Sequence, residues 1–223
     1  EALASICGSS PPKREPQSQR VSRPRTPQAV GTFVVDHKGS PKDLYDFQGK
    51  EIGSGSYGSV RQARHNTSKA IRAIKTVSKI QAAAKPQELE KLHIEIGIMK
   101  QLDHPGIIKL FETFEDQKNI YLVMELCTGG DLSKRLKQVK RFSEAECAVL
   151  MEQILRPVTY LHSQRLCHRD LKPENFLFLS RDPIARNVIK IIDFGLSCKC
   201  TPGEMMKTKA GTPYYVAPQV LAG

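Results

Sequence analysis

No run of about 18 apolar residues occurs in this 223-residue chain and no secretory leader is read in it, so neither a membrane-spanning helix nor export is expected. Its six cysteines (Cys7, Cys127, Cys147, Cys167, Cys198 and Cys200) form no C-x-x-C pair. Zinc sites built on such pairs are therefore excluded, and free thiols in a reducing, cytoplasmic setting are the expectation. Internal repeats, RNA-binding signatures and zinc-finger spacings are also missing. Hence the net charge of +11 does not point to nucleic acid. Lys134, Lys137 and Lys140 alternate with Leu132, Leu136 and Val139, the pattern of an amphipathic helix with a solvated basic face. The chain opens on Glu1 rather than Met, so it is expected to be processed or a fragment. An N-terminal lipid, and with it membrane association, is left undecided.

A chain of this length builds one large domain or two small ones. Residues 1–43 read as a disordered basic tail. It is rich in proline (Pro11, Pro12, Pro16, Pro24, Pro27) and arginine (Arg14, Arg20, Arg23, Arg25), with too little apolar surface to offset chain entropy. An ordinary tail and a docking arm for acidic partners both fit, and residues 31–35 offer a short strand or docking segment. Residues 44–126 read as a small, mostly antiparallel β lobe. Its strand-like stretches lie at 47–52, 59–64, 70–77, 107–115 and 120–125, with one helix carrying Leu89, Leu92, Ile96 and Met99 on a single face. Residues 127–223 turn helical. Ser143 and Glu146 form a capping box at the head of a helix reaching to about His162. Pro157 lies inside it, where a regular helix loses about 3 kcal/mol. Either a kink or a compensating neighbour is required. The fold class is α+β and bilobal.

Two blocks carry the chemistry. Cys167-His168-Arg169-Asp170-Leu171-Lys172-Pro173-Glu174-Asn175 is followed shortly by Ile192-Asp193-Phe194-Gly195. They set a candidate base, a lysine and two oxygen donors for a cation in one region. Phosphoryl transfer needs that inventory, because it runs on positioning and charge neutralisation. Gly53-Ser54-Gly55-Ser56-Tyr57-Gly58-Ser59-Val60 lies between strands rather than opening a helix, which disfavours a dinucleotide fingerprint. No G-K-[ST] follows, so a Walker loop is excluded. A plain hairpin remains the alternative to a loop whose backbone amides approach phosphate. Lys75, in Ala73-Ile74-Lys75, is either solvent-facing or paired with a carboxylate of the following helix, which carries Glu88, Glu90 and Glu95.

These motifs resemble those of the eukaryotic serine/threonine protein kinases. Lys172 in D-L-K-P-E-N favours the Ser/Thr type. The stretches 102–105, 127–131 and 209–218 look most like the calmodulin-dependent and calcium-dependent kinases. The resemblance implies ATP and Mg²⁺ as cofactors, with protein serines and threonines as substrates. It assigns Asp170 as the base and Lys172 to the transferring phosphate. Lys75, paired with Glu95, goes to the α- and β-phosphates. Ile52, Gly53, Gly55, Gly58, Val60 and Ala73 would line the nucleotide site, and Asn175 and Asp193 would hold the metal. Met124 would take the gatekeeper position, and backbone groups of Glu125 and Cys127 in the hinge would bond the adenine edge. Asp131 would sit at the ribose or a basic substrate side chain, or serve as a helix N-cap. Glu174 would meet a basic substrate residue. Thr208 would be the regulatory phosphosite facing Arg169, and Thr212 would contact Asp170 and Lys172.

Two departures stand out: Gln219 replaces the glutamate of Ala-Pro-Glu, and the chain stops at Gly223. The second lobe is thus expected to be incomplete, with apolar surface exposed and a calcium-sensing region following in the full-length protein. An inactive nucleotide-binding scaffold and a small-molecule kinase are the other readings.

Overall fold

The computed structural model describes residues 34–55, 58–84, 86–201, 203–206 and 208–222. Strands β1 (Val35–Lys38), β2 (Tyr45–Gly55), β3 (Gly58–His65) and β4 (Ile71–Ser78) lead into helices α1 (Lys79–Ala83) and α2 (Pro86–Met99). After β5 (Leu110–Glu115) and β6 (Asn119–Met124) come α3 (Leu132–Val139) and α4 (Glu144–Ser163). Short strands β7 (Leu166–Cys167), β8 (Phe176–Phe178), β9 (Ile189–Ile191) and β10 (Cys198–Lys199) follow, and α5 (Pro218–Ala222) ends the series. The result is a bilobal α+β fold.

The first lobe is a six-stranded sheet in the order β1-β5-β6-β4-β3-β2. All pairings are antiparallel except β1 with β5, which is parallel. This corrects the tail boundary expected at residue 43, since residues 35–38 belong to the sheet; residues 1–33 lie outside the described part. The short strand offered at 31–35 meets this one only at Val35; Asp36-His37-Lys38 shows no alternation and pairs with residues 113–115, far along the chain. The stretch from residue 107 also divides. Leu110 opens β5, whereas Ile107 bridges to Ile191 and Ile108 N–H donates to Ile191 O at 3.0 Å, tying the lobes together.

One hydrophobic core runs across the junction. Leu92, Ile96 and Met99 of α2 pack with Leu122 of the sheet, and Phe176, Ile191 and Phe194 continue it into the second lobe. The helical period of the α2 residues is what puts them on this face. The capping box of α4 forms as read. Glu146 N–H donates to Ser143 Oγ at 3.3 Å, and Ser143 N–H donates to Glu146 Oε2 at 2.8 Å. Pro157 does not break α4, which is continuous from Glu144 to Ser163. Its ring is fully buried, and the neighbour that accommodates it is Gly106: a Cβ added there would stand 2.9 Å from Pro157 Cγ.

Gly106→Ala is therefore expected to destabilise the protein by about 1–3 kcal/mol through overpacking. Urea unfolding reads the loss. Part of it should return in the Gly106→Ala, Pro157→Ala double variant, and no return would dismiss the ring as the cause.

Candidate active site

The strand registers put Val60, Ala73, Lys75, Leu122 and Met124 on one face of the sheet. Val60 lies opposite Lys75, Leu122 opposite Lys75, and Met124 opposite Ala73, and directly opposed residues share a face. That face looks toward α2, where Glu95 is only 7% exposed. Lys75 Nζ stands 3.5 Å from Glu95 Oε1. Burial pushes the Glu95 carboxyl above its ordinary range. The Lys75 charge opposes this, and the nearby Asp193 charge adds to it. Lys75 and Glu95 thus meet, but loosely.

At the loop, Gly55 pairs with Gly58 to close β2 onto β3, and Gly53 packs over Val60. Gly58 cannot be another residue in this arrangement, because a Cβ there would fall 1.7 Å from Thr76 O. Ile52, on β2, is half exposed.

Met124 ends β6 and begins the connection between the lobes. Glu125 N–H donates to Lys109 O at 2.9 Å, and its carboxylate reaches back 2.9 Å to Lys190 Nζ, buried on β9. Burial, helped by the Glu125 charge, pushes the Cys127 thiol up to about 12, so this cysteine stays protonated and packs against the core. Asp131 is the N-cap of α3. It accepts from Lys134 N–H at 2.7 Å and pairs with Lys134 Nζ at 3.0 Å.

The densest polar cluster surrounds Asp170, itself only 8% exposed. Its Oδ2 accepts from Lys172 Nζ at 2.7 Å and Asn175 Nδ2 at 3.1 Å, and its Oδ1 accepts from Thr212 Oγ1 at 2.6 Å. Lys172 Nζ also donates to Thr212 Oγ1 at 2.9 Å. Burial alone would raise the Asp170 carboxyl, but the bonds from Lys172 and Thr212 outweigh it and hold the group below its ordinary range. Asp170 is therefore ionised at neutral pH.

Asn175 also donates from Nδ2 to Asp170 O at 2.9 Å, which leaves its Oδ1 for a cation. Asp193 supplies a carboxylate, with Oδ1 accepting from Gly195 N–H at 3.2 Å. Among the described residues no group of three or more His, Cys, Asp or Glu forms a metal cage of its own. Two hard oxygen donors without a cage suit Mg²⁺, which keeps waters and takes phosphate oxygens as further ligands.

One residue with no role read from the sequence is central here. His168 is buried; its Nδ1 accepts from Asp170 N–H at 3.3 Å and its Nε2 faces Ile192 O at 3.2 Å. Only the neutral ring protonated at Nε2 satisfies both, since one partner donates and the other accepts. Its ring packs on Phe194 with centroids 5.1 Å apart. His168 stood inside the motif, but its partners Ile192 and Phe194 lie over 20 residues on.

The segment after Gly195 starts with β10, which pairs with β7 and sets Cys198 opposite Cys167. Arg169 Nε donates to Leu196 O at 2.6 Å. Thr208 is exposed, as is Gln219 on α5. The Thr212 contact with Asp170 and Lys172 is present, as the resemblance implied.

Known proteins are similar to this chain in sequence. The protein kinase domain family matches residues 47–223. The chain is 47% identical over 192 residues to calcium-dependent protein kinase 3 of Plasmodium yoelii yoelii, covering 86% of this chain and 35% of that protein. It is 41% identical over 196 residues to calcium-dependent protein kinase 5 of Plasmodium falciparum (isolate 3D7), covering 88% of this chain and 34% of that protein. It thus spans about a third of the length of the curated relatives it matches.

Burial holds the His168 pKa below its ordinary 6.5. A folded pKa under the unfolded one gives stability that is present above pH 6.5 and is lost as pH falls from there toward the folded value. Within that window the unfolding free energy should drop by up to about 1.4 kcal/mol per pH unit from this residue. His168→Gln, which keeps a donor and an acceptor but does not titrate, should flatten the slope by that amount. An unchanged slope would mean that His168 is not held neutral.

Proposed function

This chain belongs to the protein kinase family, and on that premise we propose that it carries the phosphoryl-transfer site of a cytoplasmic serine/threonine kinase. The observation that carries this reading is the Asp170 carboxylate: ionised, held from two sides, and still able to accept. Oδ2 takes its donors from Lys172 and Asn175, while Oδ1 takes one, from Thr212. A carboxylate has about four lone-pair sites, so Oδ1 keeps one for an incoming hydroxyl proton. Asp170 then orients and deprotonates a substrate serine or threonine. Lys172, already bonded to Asp170, places positive charge beside the transferring group, and Lys75 does the same for the phosphates behind it.

Bound MgATP supplies the γ-phosphoryl group and neutralises its charge. Asn175 and Asp193 are the residues that would hold the metal. The face formed by Val60, Ala73 and Met124 would receive the adenine, together with backbone groups of Glu125 and Cys127. Asp131 serves the ribose in addition to its capping role. Glu174, exposed and adjacent to Asn175, favours substrates with basic residues near the acceptor. Thr208 is accessible to a kinase, and a phosphate there would add about −1.5 to −2 charge for Arg169 to meet. The similar Plasmodium proteins are named calcium-dependent, which supports calcium control by a region beyond this chain.

Two measurements on the full-length protein test this. Asp170→Asn should lower γ-phosphate transfer to a basic peptide by about 10²–10⁴-fold, the usual worth of a general base, while ATP still binds. Unchanged transfer would remove Asp170 as the base, and a wild-type protein that binds ATP without transferring phosphate would be a scaffold. Chelating calcium should cut transfer by at least about fivefold, the low end of allosteric coupling. Equal rates with and without chelator would exclude calcium control.

A further inference from the structure

Strand β1 contributes little to the core, yet one of its side chains reaches the residue that follows the helix carrying Glu95. Its parallel register sets Asp36 opposite Thr113 and His37 opposite Phe114. His37 stacks on Phe114 with centroids 4.4 Å apart, Val34 packs against the main core, and Gly39 N–H donates to Glu115 O at 2.7 Å. These contacts fix the strand to the sheet. The Asp36 carboxylate then reaches sideways, with Lys100 Nζ 2.6 and 2.7 Å from its two oxygens and the buried Thr113 hydroxyl donating to Oδ1. Those bonds from Lys100 and Thr113 hold the carboxyl below its ordinary range.

Lys100 directly follows α2, and its N–H donates to Ile96 O at 3.0 Å, so it continues the helical ladder. Its positive charge also suits the carbonyl end of a helix. Glu95 lies in the turn just before. A pull on Lys100 is therefore transmitted to the segment that holds Glu95 near Lys75. That pair is long, at 3.5 Å, and Glu95 has Asp193 as a like-charged neighbour, so small displacements of α2 decide whether it forms.

We propose that β1 is a strut that holds α2 in the position presenting Glu95 to Lys75, with Asp36 as its positioning residue. This rests on the kinase reading of the site. The Asp36 side chain is 62% exposed, so the ion pair by itself biases the position of α2 by no more than about fivefold.

The test uses the full-length protein, with hydrogen exchange of the amides at 92–99 and phosphoryl transfer followed in parallel. Asp36→Ala should accelerate exchange in that segment, and lower kcat/KM for ATP, each by up to about fivefold. In a Glu95→Gln background Asp36→Ala should cost nothing further in transfer, because the residue acts through Glu95. Asp36→Lys should cost at least as much as Asp36→Ala, and Asp36→Lys combined with Lys100→Asp should recover part of both readouts, the carbonyl end of α2 favouring a cation at position 100. Exchange at 92–99 unchanged by Asp36→Ala, or a swap no better than Asp36→Lys alone, would overturn the strut. Absence of transfer in the wild type would instead strike the kinase reading, and the exchange and swap results would still decide the strut.

Discussion

Carboxylates taken out of water must be met by donors or cations, and among the described residues two are buried, Glu95 and Asp170, where the lobes meet. They are met very differently. Asp170 receives three side-chain donors within 3.1 Å and its pKa falls. Glu95 has a single lysine at 3.5 Å and a second carboxylate nearby, and its pKa rises. The first arrangement is well supplied with donors. The second is under-satisfied, so its geometry responds to whatever moves α2 or screens Asp193. Removing one member of such a pair leaves an unmatched buried charge, so single substitutions at the lobe junction are expected to be costly.

How much of this was legible in the sequence depends on separation along the chain. Asp170, Lys172 and Asn175 converge because a single short turn at 173–175 folds them together, so their spacing alone announced the cluster. The hydrophobic period of α2 and the capping box of α4 were likewise local, and both were readable. Glu95 was separable from its competitors only through the family's motif spacing; the burial that singles it out is a tertiary fact. Strand β1 lay in a segment read as tail, with a short strand offered only as far as Val35, since nothing in four polar-rich residues foretells a parallel partner in β5. The Pro157 puzzle was posed correctly by the sequence. Its answer, a glycine in another segment, belongs to packing.

Gly211 shows how the segment before α5 is held against the Asp170 cluster. Its φ is +126°, and a Cβ there would meet Val216 Cγ1 at 2.5 Å and Arg169 O at 2.9 Å. Only a glycine allows the chain to pass that close to the backbone of Arg169 and deliver Thr212 to Asp170 and Lys172. Thr212 is then both a reporter and a brace. If the segment shifts, Asp170 loses a donor and Lys172 an acceptor.

His168 binds these observations together through backbone strain. Arg169 and Asp193 both hold left-handed conformations, with φ of +64° and +65°. For residues other than glycine such conformations cost of order 1–3 kcal/mol each and persist only where the surroundings over-determine them. The over-determination is visible. One ring nitrogen of His168 takes the N–H of Asp170, next to strained Arg169, and the other meets the C=O of Ile192, next to strained Asp193. The same buried ring packs on Phe194, the residue after Asp193. A single neutral imidazole therefore ties the two distorted turns together. Exchanging it for an apolar side chain of equal size would keep the packing and release the turns. The two turns are thus joined by hydrogen bonds through one ring that the core also holds.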